Sequence, residues 1–193
     1  GSGCTTAKTG AYGSTWGALC TPSKTGHTFQ GWYTSTGGRG TKYTSATTIT
    51  GSKTVYAYWT VNQYNITYTM NSGTNHSSNP SKYTYGVGVS SFYNPSRTCY
   101  TFGGWFSNSG LTTSKTSIST TETGDKTLYA KWIQNTYTVS YNANGGSGAP
   151  SAQTKYCGTN LTLSSTKPTR ANYSFNGWNT NAAGSGTNYS SGG

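Results

Sequence analysis

Few side chains in this 193-residue chain can do chemistry: Cys4, Cys20, Cys99, Cys157, His27, His76, Glu122 and Asp125. General acid–base catalysis needs a positioned His, Asp or Glu. The only two carboxylates share one turn, Glu122-Thr123-Gly124-Asp125, which reads as a solvated loop rather than a catalytic pair. A self-formed Lys–Asn crosslink needs a buried carboxylate, and neither acid has that setting in the sequence. Tetrahedral metal sites are built from closely spaced Cys and His. Here there is no Cys-x-x-Cys, and neither histidine lies near a cysteine. The inventory therefore argues against an enzyme, a cofactor and a bound metal.

Disulfide formation is the chemistry that remains. Four cysteines allow three connectivities. Cys4 and Cys20 enclose a short loop and are expected to pair. A loop of that size stabilises by ~3 kcal/mol in the chain-entropy treatment. Cys99 and Cys157 are then left to pair with each other, to bond to a neighbouring molecule, or to stay free.

The elements that position these residues come in copies. Phe29-Gln30-Gly31-Trp32, Phe102-Gly103-Gly104-Trp105 and Phe175-Asn176-Gly177-Trp178 are separated by 73 residues each time. Pro22, Pro95 and Pro168 keep the same step, as do Trp59 and Trp132. Unrelated positions holding one register define an internal repeat. The expected units are residues 1–60, without an opening strand, 61–133, complete, and 134–193, without a closing strand. His27 stands where Cys99 or Asn172, or a close neighbour of either, stands in the later units.

Composition selects among folded classes. Leu, Ile, Val and Phe total 19 of 193 residues, but aromatic residues reach 15%, with 17 Tyr and 6 Trp. Each buried aromatic removes ~150–250 Å² from water, so a few per unit can replace an aliphatic core. Phe29, Trp32, Trp59, Phe102, Trp105, Trp132, Phe175 and Trp178 are the expected repeat core. Tyr33, Tyr43, Tyr58 and Tyr83 are the expected exposed aromatics, where a sugar ring could stack. The net charge of +11 is spread singly along the chain. Nucleic-acid binders cluster their basic residues instead. No stretch approaches the ~18 apolar residues of a membrane-spanning helix.

Within the complete unit, Tyr64, Ile66, Tyr68 and Met70 alternate with polar residues, as in a half-buried strand. A turn is expected at Asn71-Ser72-Gly73, then strands over 82–89, 101–106 and 128–132. Gly104 within the third of these marks a bulge or a close backbone crossing. Leu128, Ala130 and Trp132 share one face. Four residues separate Trp59 from Tyr64 and Trp132 from Tyr137, too few for a flexible tether.

The strand Tyr137-Thr138-Val139-Ser140-Tyr141, the Asn-Gly-Gly turn, Pro-Thr-Arg, Tyr-x-Phe-x-Gly-Trp and Thr-Leu-Tyr-Ala-Lys-Trp together resemble the Listeria–Bacteroides repeat. That family includes the internalin-type B repeats of bacterial surface proteins. The resemblance covers nearly the whole chain, which departs from the family in its scarcity of acidic residues. It implies a mainly β fold with little or no helix, built as a tandem array of small β-grasp-like units on a secreted or wall-attached protein.

The reading that follows is a non-catalytic extracellular stalk or filament module. Its partners are other repeats of the same protein or head-to-tail copies of itself, joined by strand complementation. The alternative is an adhesin module that binds a host protein or glycan. Asn65, Asn75, Asn160, Asn172 and Asn188 lie in Asn-x-Ser/Thr triplets and are possible glycan acceptors.

Overall fold

The computed structural model describes residues 1–5 and 7–193. It contains eleven strands: β1 (His27–Ser35), β2 (Arg39–Tyr43), β3 (Tyr56–Val61), β4 (Gln63–Thr69), β5 (Lys82–Thr84), β6 (Tyr100–Phe106), β7 (Lys126–Gln134), β8 (Thr136–Val139), β9 (Gln153–Tyr156), β10 (Trp178–Asn179) and β11 (Asn188–Tyr189). Among the described residues the sole helical element is one 3-10 turn, Thr36–Gly38. The protein is thus mainly β, in three tandem repeats.

The chain forms two compact units. Unit 1 holds residues 1–71, 75–94 and 104–130, and unit 2 holds 72–74, 95–103 and 131–193. The division cuts through the middle repeat rather than between repeats. In unit 1, β1 lies between β2 and β3, antiparallel to both. A four-stranded sheet follows in the order β5-β4-β7-β6. Its central pair is parallel: Ile66 faces Lys126 and Tyr68 faces Leu128. A parallel pair needs a long crossover, here the whole body of the repeat between β4 and β7. In unit 2, β8 pairs with β9 and β10 with β11, both antiparallel. The β8–β9 register sets Thr136 opposite Tyr156 and Val139 opposite Gln153.

Local chemistry explains several of these elements. At Gly31, the first-repeat counterpart of Gly104, the β1–β3 register slips between Phe29 and Gly31. Gly31, Gly104 and Gly177 have φ of 135°, 113° and 131°, a backbone region open mainly to glycine. The turn after β4 has Asn71 and Ser72 at φ 47° and 68°. The expected 82–89 strand is shorter than its sequence suggests. β5 ends at Thr84, and the chain turns through 85–87 before Val89 forms a single bridge to Ile118. Gly86 and Gly88, both at positive φ, break the extended run.

Apart from Pro22 and Pro95, the buried apolar side chains among the described residues are few: Ile49, Ile66, Tyr83, Trp105, Ile118, Leu128 and Ala130. All seven lie in unit 1. Leu128 and Ala130 are 1% and 0% exposed, because β7 has a neighbouring strand on both edges. Tyr68 stacks edge-on against Trp105 at 5.2 Å and donates its hydroxyl to the Pro80 carbonyl at 2.9 Å. Burial pushes that hydroxyl's pKa up to about 12.

Two expectations about exposure are corrected here. Tyr83 is 3% exposed, because its ring lies against Tyr64 and its hydroxyl donates to the Gly124 carbonyl. Tyr33, Tyr43 and Tyr58 are half-buried, with Tyr33 edge-on to Tyr58. Exposed tyrosines are Tyr12, Tyr56, Tyr93, Tyr137, Tyr156, Tyr173 and Tyr189.

Leu128→Ala leaves a cavity in this small core and is expected to lower unfolding stability by ~2–5 kcal/mol. Ala130→Leu overpacks the same face at a cost of ~1–3 kcal/mol. Shifts of the denaturant midpoint at an unchanged slope are the check.

Candidate functional site

Two places where one repeat hands over to the next carry the same set of contacts. In unit 1 the Asn62 amide donates to the Gly26 carbonyl at 2.9 Å, and the Asn62 carbonyl accepts from the Tyr85 amide at 3.0 Å. Its side-chain oxygen accepts from the Thr28 hydroxyl at 2.6 Å. In unit 2 the Asn135 amide donates to the Cys99 carbonyl at 2.9 Å, and its carbonyl accepts from the Cys157 amide at 2.9 Å. The Asn135 side-chain oxygen accepts from the Thr101 hydroxyl at 2.7 Å. One asparagine thus binds a turn of the preceding repeat and the hairpin of the following one. Backbone donors and acceptors that are satisfied in this way hold the four-residue linker in one path.

The preceding turn explains the choice of residues. Gly26 and Cys99 both have φ of 67°, and Asn172 has 63°. These three are the true equivalents, at steps of 73 residues. The expectation that His27 occupies the place of Cys99 or Asn172 is therefore refined: His27 corresponds to Tyr100 and Tyr173. At the first junction a Cβ on Gly26 would lie 2.1 Å from the Tyr85 ring, so the ring fills the space beside a bare backbone. His27 meets the same ring edge-on at 5.7 Å. At the second junction Cys99 stands in the place of Gly26 and Cys157 in that of Tyr85. A disulfide joins them, with Cα atoms 5.1 Å apart. A covalent bond here replaces a ring packed on glycine.

The other disulfide joins Cys4 to Cys20, Cα–Cα 5.8 Å, inside the first repeat. The Cys20 carbonyl accepts from the Trp32 indole at 2.8 Å, so this bridge fixes the loop that covers the repeat's tryptophan. No cysteine is free, and no group of three or more His, Cys, Asp or Glu gathers as a metal site among the described residues.

The two carboxylates are structural. Asp125 accepts from the Asn65 amide at 2.7 Å and from its side chain at 3.2 Å, which pins β4 to the turn before β7. Those bonds hold the Asp125 carboxyl below its ordinary pKa. Glu122 is not a solvated loop residue as its sequence context suggests, since Lys115 lies at 2.7 Å and Lys126 at 3.4 Å. Burial opposes its ionisation, but the Lys115 hydrogen bond, the Ser119 amide and the lysine charges outweigh that and lower its pKa.

The aromatic core candidates are brought together in pairs. Phe29 meets both Trp32 and Trp59, Phe102 meets Trp132, and Phe175 meets Trp178. Only Trp105 among them is buried outright. Of the triplet asparagines, Asn65, Asn75 and Asn188 already bond through their side chains to Asp125, Asn79 and Asn179. Asn160 and Asn172 are exposed. Asn62 and Asn135 escape a motif search, though a signal exists: asparagine is the one residue that the two four-residue linkers share in register.

Three copies of the Listeria-Bacteroides repeat domain are matched, over residues 1–58, 64–131 and 137–193. A "Putative Gly-rich membrane protein" of Evansella cellulosilytica is 31% identical over 167 residues, which is 86% of this chain and 19% of that protein. A "Putative membrane protein" of the same organism is 33% identical over 157 residues, 81% of this chain and 23% of that protein. The chain spans about a fifth of the length of these curated relatives. No helix among the described residues is long and apolar enough to cross a membrane. No solved structure matches the chain.

Replacing Cys99 and Cys157 together by Ala is expected to cost ~4 kcal/mol, the chain-entropy value for a loop of this length. Hydrogen exchange should then speed up at the Asn135 and Cys157 amides and stay unchanged at the Asn62 and Tyr85 amides. Lowering the pH gives a separate outcome. Glu122 has a depressed folded pKa, so its contribution is fully present above the ordinary value of 4.5 and is lost as pH falls through the folded one. Acid titration of stability should show that loss, and Glu122→Gln should reduce it.

Proposed function

The chain belongs to the Listeria-Bacteroides repeat family, and from that premise we propose that it is a non-catalytic structural segment of a bacterial surface stalk or filament. The observation that carries this reading is the duplicated asparagine junction. Two successive handovers, at Asn62 and Asn135, use the same three hydrogen bonds. Such repetition supports a fixed repeat-to-repeat geometry, the property required of a spacer. The disulfides support an oxidising, extracellular location. The membrane-protein names of the relatives agree with a surface setting for the whole polypeptide.

The parallel pairing of a repeat's first and last strands, β4 with β7, supports the β-grasp-like reading of the unit. Head-to-tail assembly by strand complementation is the finer form of the same proposal, since among the described residues β3 has a partner strand on one edge only. For the adhesin alternative, there is a close exposed aromatic pair, His76 stacked on Tyr93 at 4.7 Å. That pair is too small to favour a ligand over the structural role.

Electron microscopy of the purified chain, with and without reductant, tests the proposal. Uniform short rods are expected for a stalk segment, and long filaments for head-to-tail assembly. Compact particles, or beads with no preferred spacing under oxidising conditions, would overturn it.

A further inference from the structure

Asn144 and Gly145 form the exposed tip of the turn that follows β8. We propose that this pair is a self-modification site, where Asn144 converts through a cyclic imide to isoaspartate or aspartate, with Arg170 promoting the ring closure. The inference does not depend on the stalk reading.

The nucleophile comes first. Ring closure requires the amide nitrogen of the following residue to reach the side-chain carbonyl carbon of the asparagine. A side chain on that following residue obstructs the approach, and Gly145 has none. Asn144 and Gly145 have φ of 49° and 84°, and the Gly146 amide donates to the Ala143 carbonyl at 3.0 Å. This is the two-residue turn that Asn-Gly favours. The Gly145 amide itself donates no hydrogen bond among the described residues, so its proton is open to a solvent base.

Arg170 supplies the activation. Its Nη1 donates to the Asn144 backbone carbonyl at 3.1 Å, and its guanidinium stacks on the Tyr173 ring at 4.1 Å. A Cβ on Gly145 would lie 3.5 Å from the Arg170 Cζ, so the cation sits directly against the bare glycine. The Asn144 carbonyl and the Gly145 nitrogen belong to one amide. When that nitrogen loses its proton, resonance spreads the negative charge onto the carbonyl oxygen. A hydrogen bond between two charged groups is stronger than one to a neutral acceptor, so the guanidinium favours the reactive anion. Unit 2 contains no Asp or Glu, and no ion pair occupies Arg170 among the described residues.

Two other asparagines in the chain serve as comparisons. Asn71-Ser72, 73 residues earlier, builds the same turn, with φ of 47° and 68°, and is exposed in the complete repeat as well. Its side-chain nitrogen donates to the Ala130 carbonyl at 3.0 Å, as that of Asn144 donates to the Ala182 carbonyl at 2.8 Å. Openness and side-chain anchoring are thus properties of the turn, and the residue after the asparagine is what differs. Asn176-Gly177 is the chain's other Asn-Gly. It lacks the turn, with Gly177 at φ 131°, and a Cβ on Gly177 would meet the Tyr189 carbonyl rather than a cation.

The reaction balances with water alone. A solvent base takes the Gly145 amide proton, the nitrogen bonds to Cγ of Asn144, and the Cγ–Nδ2 bond breaks with release of ammonia. Water then opens the imide at either carbonyl. An amide and a water become a carboxylate and an ammonia. The carboxylate arises on the residue that Arg170 already holds, and gives that cation an ionic partner. In the isoaspartate form the backbone runs through Cβ, so the turn gains an extra chain atom and each molecule carries a mark of its age.

The test incubates the purified 193-residue chain at neutral and mildly alkaline pH. Peptides are then mapped by electron-transfer fragmentation, which distinguishes isoaspartate from aspartate. Conversion at Asn144 is expected to exceed that at Asn71 and at Asn176 by about tenfold or more. In urea, where the Arg170 contact is lost, Asn144 and Asn176 should convert at similar rates, since glycine follows both. Arg170→Ala should slow Asn144 to the rate of Asn176 and leave Asn176 unchanged, with hydrogen exchange at the Gly146 amide reporting whether the turn persists. Equal conversion of Asn144 and Asn176 in the folded chain overturns the proposal. So does an undiminished rate in Arg170→Ala, or isoaspartate that forms in urea alone, which would mean that the turn protects. If Arg170→Ala also frees the Gly146 amide, the unsubstituted chain decides: a ratio of Asn144 to Asn176 conversion that is the same folded and in urea overturns the role of Arg170.

Discussion

A single asparagine at each handover holds the repeats to their neighbours, and much else in the chain is arranged to let it do so. Asn62 and Asn135 each use the backbone amide, the backbone carbonyl and the side-chain oxygen at once. That demands a turn whose carbonyl points at the linker. The turn in turn demands a residue at positive φ, filled by Gly26, Cys99 and Asn172 in the three copies. Glycine and asparagine adopt this backbone region with little cost. Cysteine does not share that ease, so its use at 99 reflects the bond it makes rather than the turn it occupies.

The handovers matter because each repeat has little core of its own. Two prolines aside, seven apolar residues are buried among those described, and none of the seven lies in unit 2. Small domains bury too small a share of their surface to be stable on apolar contacts alone. One staple, Cys99–Cys157, closes the junction inside unit 2, where none of the seven lies, and the other, Cys4–Cys20, closes a loop of the first repeat. Edge-on pairs such as Phe29–Trp59 and Phe102–Trp132 supply the rest.

With only two acids against thirteen bases, electrostatics has a narrow structural part. Both acids serve the same strand. Asp125 holds Asn65 of β4 to the turn before β7, and Glu122 gathers Lys115 and Lys126 beside it. The parallel β4–β7 pair joins segments about sixty residues apart, and loop closure over that span carries an entropic cost. Two charged brackets at its entry offset part of that cost.

Much of the architecture is legible in the residues. The step of 73, the alternation of Tyr64, Ile66 and Tyr68, and the glycine at 31, 104 and 177 determine the repeat, the strands and the bulge. They do so because side-chain period and positive φ are local properties of the backbone. Other features belong to the tertiary structure alone. Tyr83 reads as a surface tyrosine until its ring meets Tyr64 and its hydroxyl meets Gly124, a contact 41 residues away. The Cys99–Cys157 bond is open in the sequence because the cysteines stand in different repeats at non-equivalent places. It becomes possible because the β8–β9 hairpin is one residue shorter than β4–β5, so that Cys157, rather than Gly158, occupies the place of Tyr85. Register within a hairpin is decided by pairing across space, and no step along the chain records it.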